Sequence, residues 1–91
     1  MSDIDPAQTL LEFPCEFPIK IMGERRDDFV REMIAIVQRH APDFAAETVA
    51  MRASSGGKYL SVTCTIRATS KPQLDALYHE LTAHPLVKVA L

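Results

Sequence analysis

The clearest order in the chain is an alternation that runs from Tyr59 to Ala68. Leu60, Val62, Cys64, Ile66 and Ala68 fall on one side, and Tyr59, Ser61, Thr63, Thr65 and Arg67 on the other. Successive side chains of a strand point to opposite faces, so this run predicts a strand with one buried face. Val49, Met51 and Ala53 alternate in the same way against Thr48, Ala50 and Arg52, which predicts a strand just before it. Between the two lies Ser54-Ser55-Gly56-Gly57-Lys58. With Gly56 and Gly57 as a two-residue loop, Ser55 faces Lys58 and Ser54 faces Tyr59. The register then pairs Ala53 with Leu60, Arg52 with Ser61, Met51 with Val62 and Val49 with Cys64. Apolar residues meet apolar ones throughout. A four-residue loop, Ser55 to Lys58, keeps this pairing, whereas a three-residue loop reverses the faces unless a bulge corrects it. The glycine pair therefore reads as a turn; a backbone-amide nest for an anion is the functional alternative.

The same two periods organise the rest. Phe17, Ile19 and Ile21 alternate with Pro18, Lys20 and Met22, predicting a first strand that Gly23 ends. From about Arg25 to His40 the apolar residues Phe29, Val30, Met33, Ile34 and Val37, followed by Ala41, recur at helical spacing. Asp27 and Asp28 stand at the start of that helix and Arg39 and His40 at its end, as its dipole favours, and Pro42 closes it. Ser70 with Gln73 forms a capping pattern, with Pro72 in the first turn of a second helix whose stripe is Leu74, Leu77, Tyr78 and Leu81. His84-Pro85 breaks that helix, and "LVKVAL" supplies a last strand. Residues 1–9 are polar and aperiodic and read as a flexible tail; residues 10–91 form one domain. The prolines of "LLEFPCEFP" forbid a regular helix and suggest extended chain strapped over an apolar surface. The element order is β-α-β-β-α-β. Right-handed crossovers then give an α+β, ferredoxin-like sandwich: a four-stranded antiparallel sheet with two helices on one face.

Composition narrows the function classes. Ninety-one residues with 47% hydrophobic content support one core without metal or disulfide staples. The formal net charge of −2 argues against a general nucleic-acid binder, though a local basic face is compatible with it. Cys15 and Cys64 form no CxxC, so neither a zinc site nor a redox pair is supported. No signal-peptide pattern and no membrane-length apolar run is present, which places the protein in the cytoplasm with reduced thiols.

The strand pattern also assigns charge to faces. Lys20 and Met22, Thr48 and Arg52, the row Tyr59, Ser61, Thr63, Thr65 and Arg67, and Lys88 are all expected on the face away from the helices. That face then holds four cations and no carboxylate, in a chain of 12 acids and 10 bases. Asp27, Asp28, Glu32, Asp75, Glu80, Glu12 and Glu16 collect on the helix side and the N-terminal segment. Such a face suits an anion or an acidic partner surface; solubility and protection against edge association explain the same residues structurally.

Catalytic chemistry is sparse. The chain has no asparagine, which removes the Arg–Asn pair used by acylphosphatases of this fold. Tyr59 is the one aromatic of the open face, which leaves little surface for stacking bases. His40, His79 and His84 read as a dipole partner, a surface residue and a turn residue. Cys64 reads as a buried, inert thiol. Neither a metal nor another cofactor is expected.

"LLEFPCEFPIKIMG", "VQRHAP" and "SSGGKYLSVTCTIRAT" together resemble the YbeD family of small uncharacterised bacterial proteins. The resemblance implies a ferredoxin-like fold close to ACT-type regulatory domains, which bind small effectors, often amino acids, between copies. It implies no established activity. ACT domains commonly carry a glycine at the turn after the first strand; Gly23 matches that place, so an effector would lie near Gly23, Arg25 and Arg26 in a homodimer. The resulting expectation is a non-enzymatic regulatory or adaptor domain that contacts a protein or small effector. Its expected interaction face is Lys20, Arg52, Tyr59, Ser61, Thr63, Thr65, Arg67 and Lys88. A nucleic-acid-binding module using that face is the alternative.

Overall fold

The computed structural model describes residues 12–91. The tail expected over residues 1–9 lies outside them, as do Leu10 and Leu11 of the strap. The elements are β1 (Cys15–Glu24), α1 (Phe29–His40), a 3-10 turn (Ala46–Thr48), β2 (Ala50–Ala53), β3 (Tyr59–Ala68), α2 (Lys71–Ala83) and β4 (Val87–Ala90). The strands form one antiparallel sheet in the order β2-β3-β1-β4. This is the βαββαβ ferredoxin-like sandwich, as the periodicities predict.

The centre of the molecule is the pairing of β1 with β3, each ten residues long, from Cys15↔Ala68 to Glu24↔Tyr59. Its helix-facing side supplies Ile19, Ile21, Val62, Cys64, Ile66 and Ala68 to the core. Phe29, Met33, Ile36, Val37 and Ala41 from α1 and the residue after it meet Leu74, Leu77 and Leu81 of α2 over that surface. Ile36 is the core residue that the predicted stripe leaves out, while Val30 and Ile34 are half-buried at its margin. The capping pattern at Ser70 is realised: its Oγ accepts from the Gln73 N–H at 3.2 Å. The Gln73 side chain accepts from the Thr69 N–H and donates to the His40 carbonyl, which ties the start of α2 to the end of α1.

The hairpin register is the predicted one: Ala53↔Leu60, Arg52↔Ser61 and Met51↔Val62. The loop is the four-residue form, closed by the Ser54 N–H on the Tyr59 carbonyl at 2.9 Å. Gly57 takes φ +74°, the left-handed turn conformation that favours glycine. The second strand is shorter than expected. Thr48 and Val49 leave the sheet through the 3-10 turn, so Val49 has no strand partner at Cys64. Met51, expected in the core, is 56% exposed, because the helices do not reach over this edge. Alpha1 begins at Phe29, after Asp27 and Asp28.

Beta1 extends at both ends beyond the expected Phe17–Met22, because Glu16 and Glu24 continue the alternation of Pro18, Lys20 and Met22. Gly23 does not end the strand; it pairs with Leu60 and Val87 inside the sheet.

Candidate functional site on the open sheet face

The face away from the helices is read directly from the register. Lys20 lies opposite Thr63, which lies opposite Ala50; Met22 lies opposite Ser61, which lies opposite Arg52. Thr65 faces Pro18, Arg67 faces Glu16, and Tyr59 faces Glu24. The lengthened β1 therefore puts two carboxylates on a face expected to have none, one at each end of the strand. Lys20, Arg52, Arg67 and Thr65 are exposed, and Tyr59, Ser61 and Thr63 half-exposed. Thr48, outside β2, is not part of the face.

The middle of this face holds a shallow depression of about 330 Å³ lined by Lys20, Ala50, Met51, Arg52, Ser61 and Thr63. Short side chains make its floor. Ala50, Ser61 and Thr63 leave room between the lysine stem from β1 and the arginine from β2. No described carboxylate lies within 4 Å of the Lys20 ammonium or the Arg52 guanidinium. Two unpaired cations and two hydroxyls around small residues can hold a carboxylate or phosphate oxygen. The β1–β4 half of the face has a different character: Met22 is paired with Val89, and Lys20 exchanges both backbone bonds with Leu91. Met22 is 36%, Val89 43% and Leu91 70% exposed. Hydroxyls and cations thus occupy one half, and an apolar corner the other.

Lys88 is displaced from this register. The pairing slips between Gly23↔Val87 and Met22↔Val89, so Val89 takes the place beside Met22. Lys88 instead lines a separate depression with Glu24, Arg26, Pro85 and Leu86.

None of the depressions lined by described residues brings Gly23, Arg25 and Arg26 together. A methyl group on Gly23 would run into the Leu86 carbonyl and lie 2.5 Å from the Phe29 ring. The space that glycine leaves is filled by the protein itself. The Arg25 N–H donates to the Lys58 carbonyl at 2.9 Å, and its guanidinium leans over Gly57 of the hairpin. Arg26 turns to Asp28, with 3.3 Å between Nε and the carboxylate.

His40, His84 and Cys64 occupy structural places. Glu80 bridges Arg39 and His40, with His40 Nε2 at 2.7 Å, and the Arg39 hydrogen bond holds its carboxyl below the usual range. His84 Nδ1 accepts from the Leu86 N–H at 3.0 Å, and its Nε2 lies 3.5 Å from Glu32. His79 is exposed. Cys64 is fully buried, and burial pushes its thiol up to about 11. Among the described residues no three His, Cys, Asp or Glu side chains are grouped to hold a metal ion. No described helix is long and apolar enough to cross a membrane.

A family model described as "Protein of unknown function (DUF493)" matches residues 8–91. The chain belongs to that family. Its DUF493 relatives include a UPF0250 protein of Ralstonia nicotianae, 52% identical over 94% of this chain and 89% of the relative. Another, from Janthinobacterium sp., is 50% identical over the full length of both. The family assignment agrees with the resemblance carried by the opening segment, the end of the first helix and the hairpin. Among solved structures, the ACT domain from GTP pyrophosphokinase of Chlorobium tepidum superposes with a TM-score of 0.63, at 17% identity, over 84% of each chain. A protein from H. pylori solved in solution gives 0.63 at 11% identity, over 99% of this chain and 98% of its own. These two likenesses show that the DUF493 chain shares the ACT-like fold.

Proposed function

We propose that this chain is a small, non-enzymatic regulatory or adaptor domain of the cytoplasm, and that it works through its open sheet face. Its ligand is an anionic group, carried by an acidic partner protein or a small effector, held between Lys20 and Arg52. The observation that carries the reading is the depression itself: two cations from different strands, unpaired among the described residues, over a floor of Ala50, Ser61 and Thr63. The ACT-like fold supports the regulatory part of the reading. Nothing on the face favours nucleic acid, since Tyr59 alone offers a ring for stacking.

The test is a titration of the isotope-labelled chain with a hexaglutamate peptide and, separately, with inorganic phosphate. Saturable shifts are expected at the Lys20, Ser61 and Thr63 amides. Arg52→Gln should weaken the response about fivefold, roughly the worth of one exposed charge contact, and added salt should weaken it further. Shifts confined to the helices, with β1 and β3 silent, would sink the proposal.

A further inference from the structure

Beta3 has ten residues and β2 only four, so half of one β3 edge has no strand beside it. The last pair is Ala50↔Thr63, after which the chain has turned away through Val49 and the Ala46–Thr48 turn. Three observations fix where the backbone groups of the remaining edge point. The Tyr59 carbonyl accepts from Ser54, on the β2 side. The Lys58 carbonyl accepts from Arg25, on the β1 side. Lys20 exchanges both of its bonds with Leu91, so the even-numbered residues of β1 face β4 and the odd-numbered ones face β3. Bonding direction alternates along an antiparallel strand. In β3 the even-numbered residues therefore bond β1, and the odd-numbered ones point toward β2. Beyond the end of β2 these are Thr65 and Arg67. No hydrogen bond among the described residues ends on their outward N–H or C=O groups.

That edge opens into a depression of about 660 Å³, twice the size of the one beside Lys20. Asp43, Phe44, Ala45 and Thr48 of the connection between α1 and β2 form one wall, and Pro14, Cys15 and Glu16 at the start of β1 line it as well. The corresponding free edge of β1 is treated differently. Past the end of β4 it presents Pro18, which has no N–H to offer and stops strand addition. The β3 edge carries no such block.

We propose that the Thr65–Arg67 edge is a docking groove for an extended segment of a partner protein, added as a strand beside β3 where β2 stops. Four outward backbone groups would bond the segment, the general mode of strand addition. Alternation along the added strand sets its side chains: an apolar one against Phe44 and Ala45, and its neighbour across from Arg67. That neighbour is acidic. Arg67 is exposed; Glu16 lies opposite it on β1 and Asp43 lines the same depression, but no described carboxylate comes within 4 Å of its guanidinium, which leaves it free for an acid across the added strand. The partner motif is thus an extended run alternating apolar and acidic residues. This site is separate from the Lys20–Arg52 depression and stands or falls without it.

Hydrogen exchange on the full chain tests the edge first. The Thr65 and Arg67 amides should exchange about a hundredfold faster than those of Cys64 and Ile66, which bond β1. Slow exchange at Thr65 and Arg67 in the unliganded protein would mean the edge is already paired, and would overturn the proposal. The second arm adds an acetylated, amidated hexapeptide alternating glutamate and valine, up to about 5 mM, the range where weak strand addition still registers. Downfield shifts and slowed exchange at Thr65 and Arg67 are expected. Thr65→Pro, which removes only an outward donor, should weaken binding at least about fivefold. Arg67→Glu should reverse the preference toward a lysine–valine peptide, and keeps the test sound if the proline variant misfolds. No response at these two amides, or a response only at Lys20, Ser61 and Thr63, would refute the groove; the latter would leave the open-face reading standing.

Discussion

Each glycine of this chain answers to a different constraint. Gly23 is fixed by crowding: the Phe29 ring and the Leu86 carbonyl occupy the volume a side chain would need. Gly57 is fixed by its backbone at φ +74°, and Gly56 has nothing within 4 Å of an added methyl group. Gly23→Ala should therefore cost about 1–3 kcal/mol, as overpacking in a core does. Gly57→Ala should cost about 1–2 kcal/mol for the left-handed conformation, and Gly56→Ala should stay within about 0.5 kcal/mol of zero. Urea midpoints of the three variants check the order; an equal cost at Gly56 and Gly57 would contradict it. The two cysteines divide as sharply. Cys64 is fully buried with its thiol raised from an ordinary 9 to about 11, whereas Cys15 is half-buried at the edge of the large depression. Iodoacetamide should modify Cys15 in the native protein and Cys64 only with unfolding. A buried thiol whose folded value is raised stabilises the fold fully below its unfolded value and loses that contribution as pH climbs. Stability should accordingly fall between about pH 9 and 11, and Cys64→Ala should flatten that limb.

At the level of elements, the two helices are joined at their exposed seam by charge. Glu80 of α2 reaches both Arg39 and His40 at the end of α1, and Gln73 binds the His40 carbonyl. The lowered carboxyl of Glu80 means its contribution is present above its unfolded value and is lost as pH falls through the folded one. Glu80→Gln should lower the thermal midpoint slightly at neutral pH, less so in high salt, and remove part of the acid-side loss of stability. An unchanged acid limb would assign that loss to other carboxylates. This seam was not readable from the sequence, where His40 looked like a dipole partner, because residues 40 apart meet only through the packing of both helices. The elements themselves were readable wherever burial was one-sided. Beta3 and the hairpin register followed from alternation alone. Beta2 did not: Val49 and Met51 fit the apolar period, but no helix covers that edge, so the period continued past the strand. Beta1 is longer than its pattern predicts because Gly23 reads as its end and the prolines before it read as a strap, although Gly23 pairs inside the sheet and Pro18 needs no hydrogen bond where β4 is absent. The same misreading hid Glu16 and Glu24 from the open face. The Lys20–Arg52 depression was legible as a row of face residues, but its small floor depends on which three strands lie side by side.

The whole molecule is a long central pair with short strands on either side, and its stability should be graded accordingly. Beta1 and β3 bond along ten residues each and carry much of the core, while β2 and β4 have four residues each. Every residue of β2 is exposed, so opening the hairpin end uncovers little apolar surface. Releasing β1 from β3 exposes Ile19, Ile21, Val62, Cys64 and Ile66 together and dismantles the core. Local opening costs only what it uncovers, whereas the central pair can open only with the whole domain. Native-state hydrogen exchange should therefore find the slowest amides at Ile19, Ile21, Val62, Cys64 and Ile66, with free energies near that of global unfolding. Ala50 and Arg52, although bonded to β3, should exchange through a smaller opening that depends weakly on denaturant. This gradient matters for function. Both candidate surfaces, the Lys20–Arg52 depression and the free β3 edge, combine a rigid wall from the central pair with a softer one from β2 or the turn that precedes it. Ligand binding should then slow exchange in β2 more than in β1. If Ala50 and Arg52 prove as slow as Ile19 in the unliganded protein, β2 is part of the rigid frame and neither surface has a wall that can adjust.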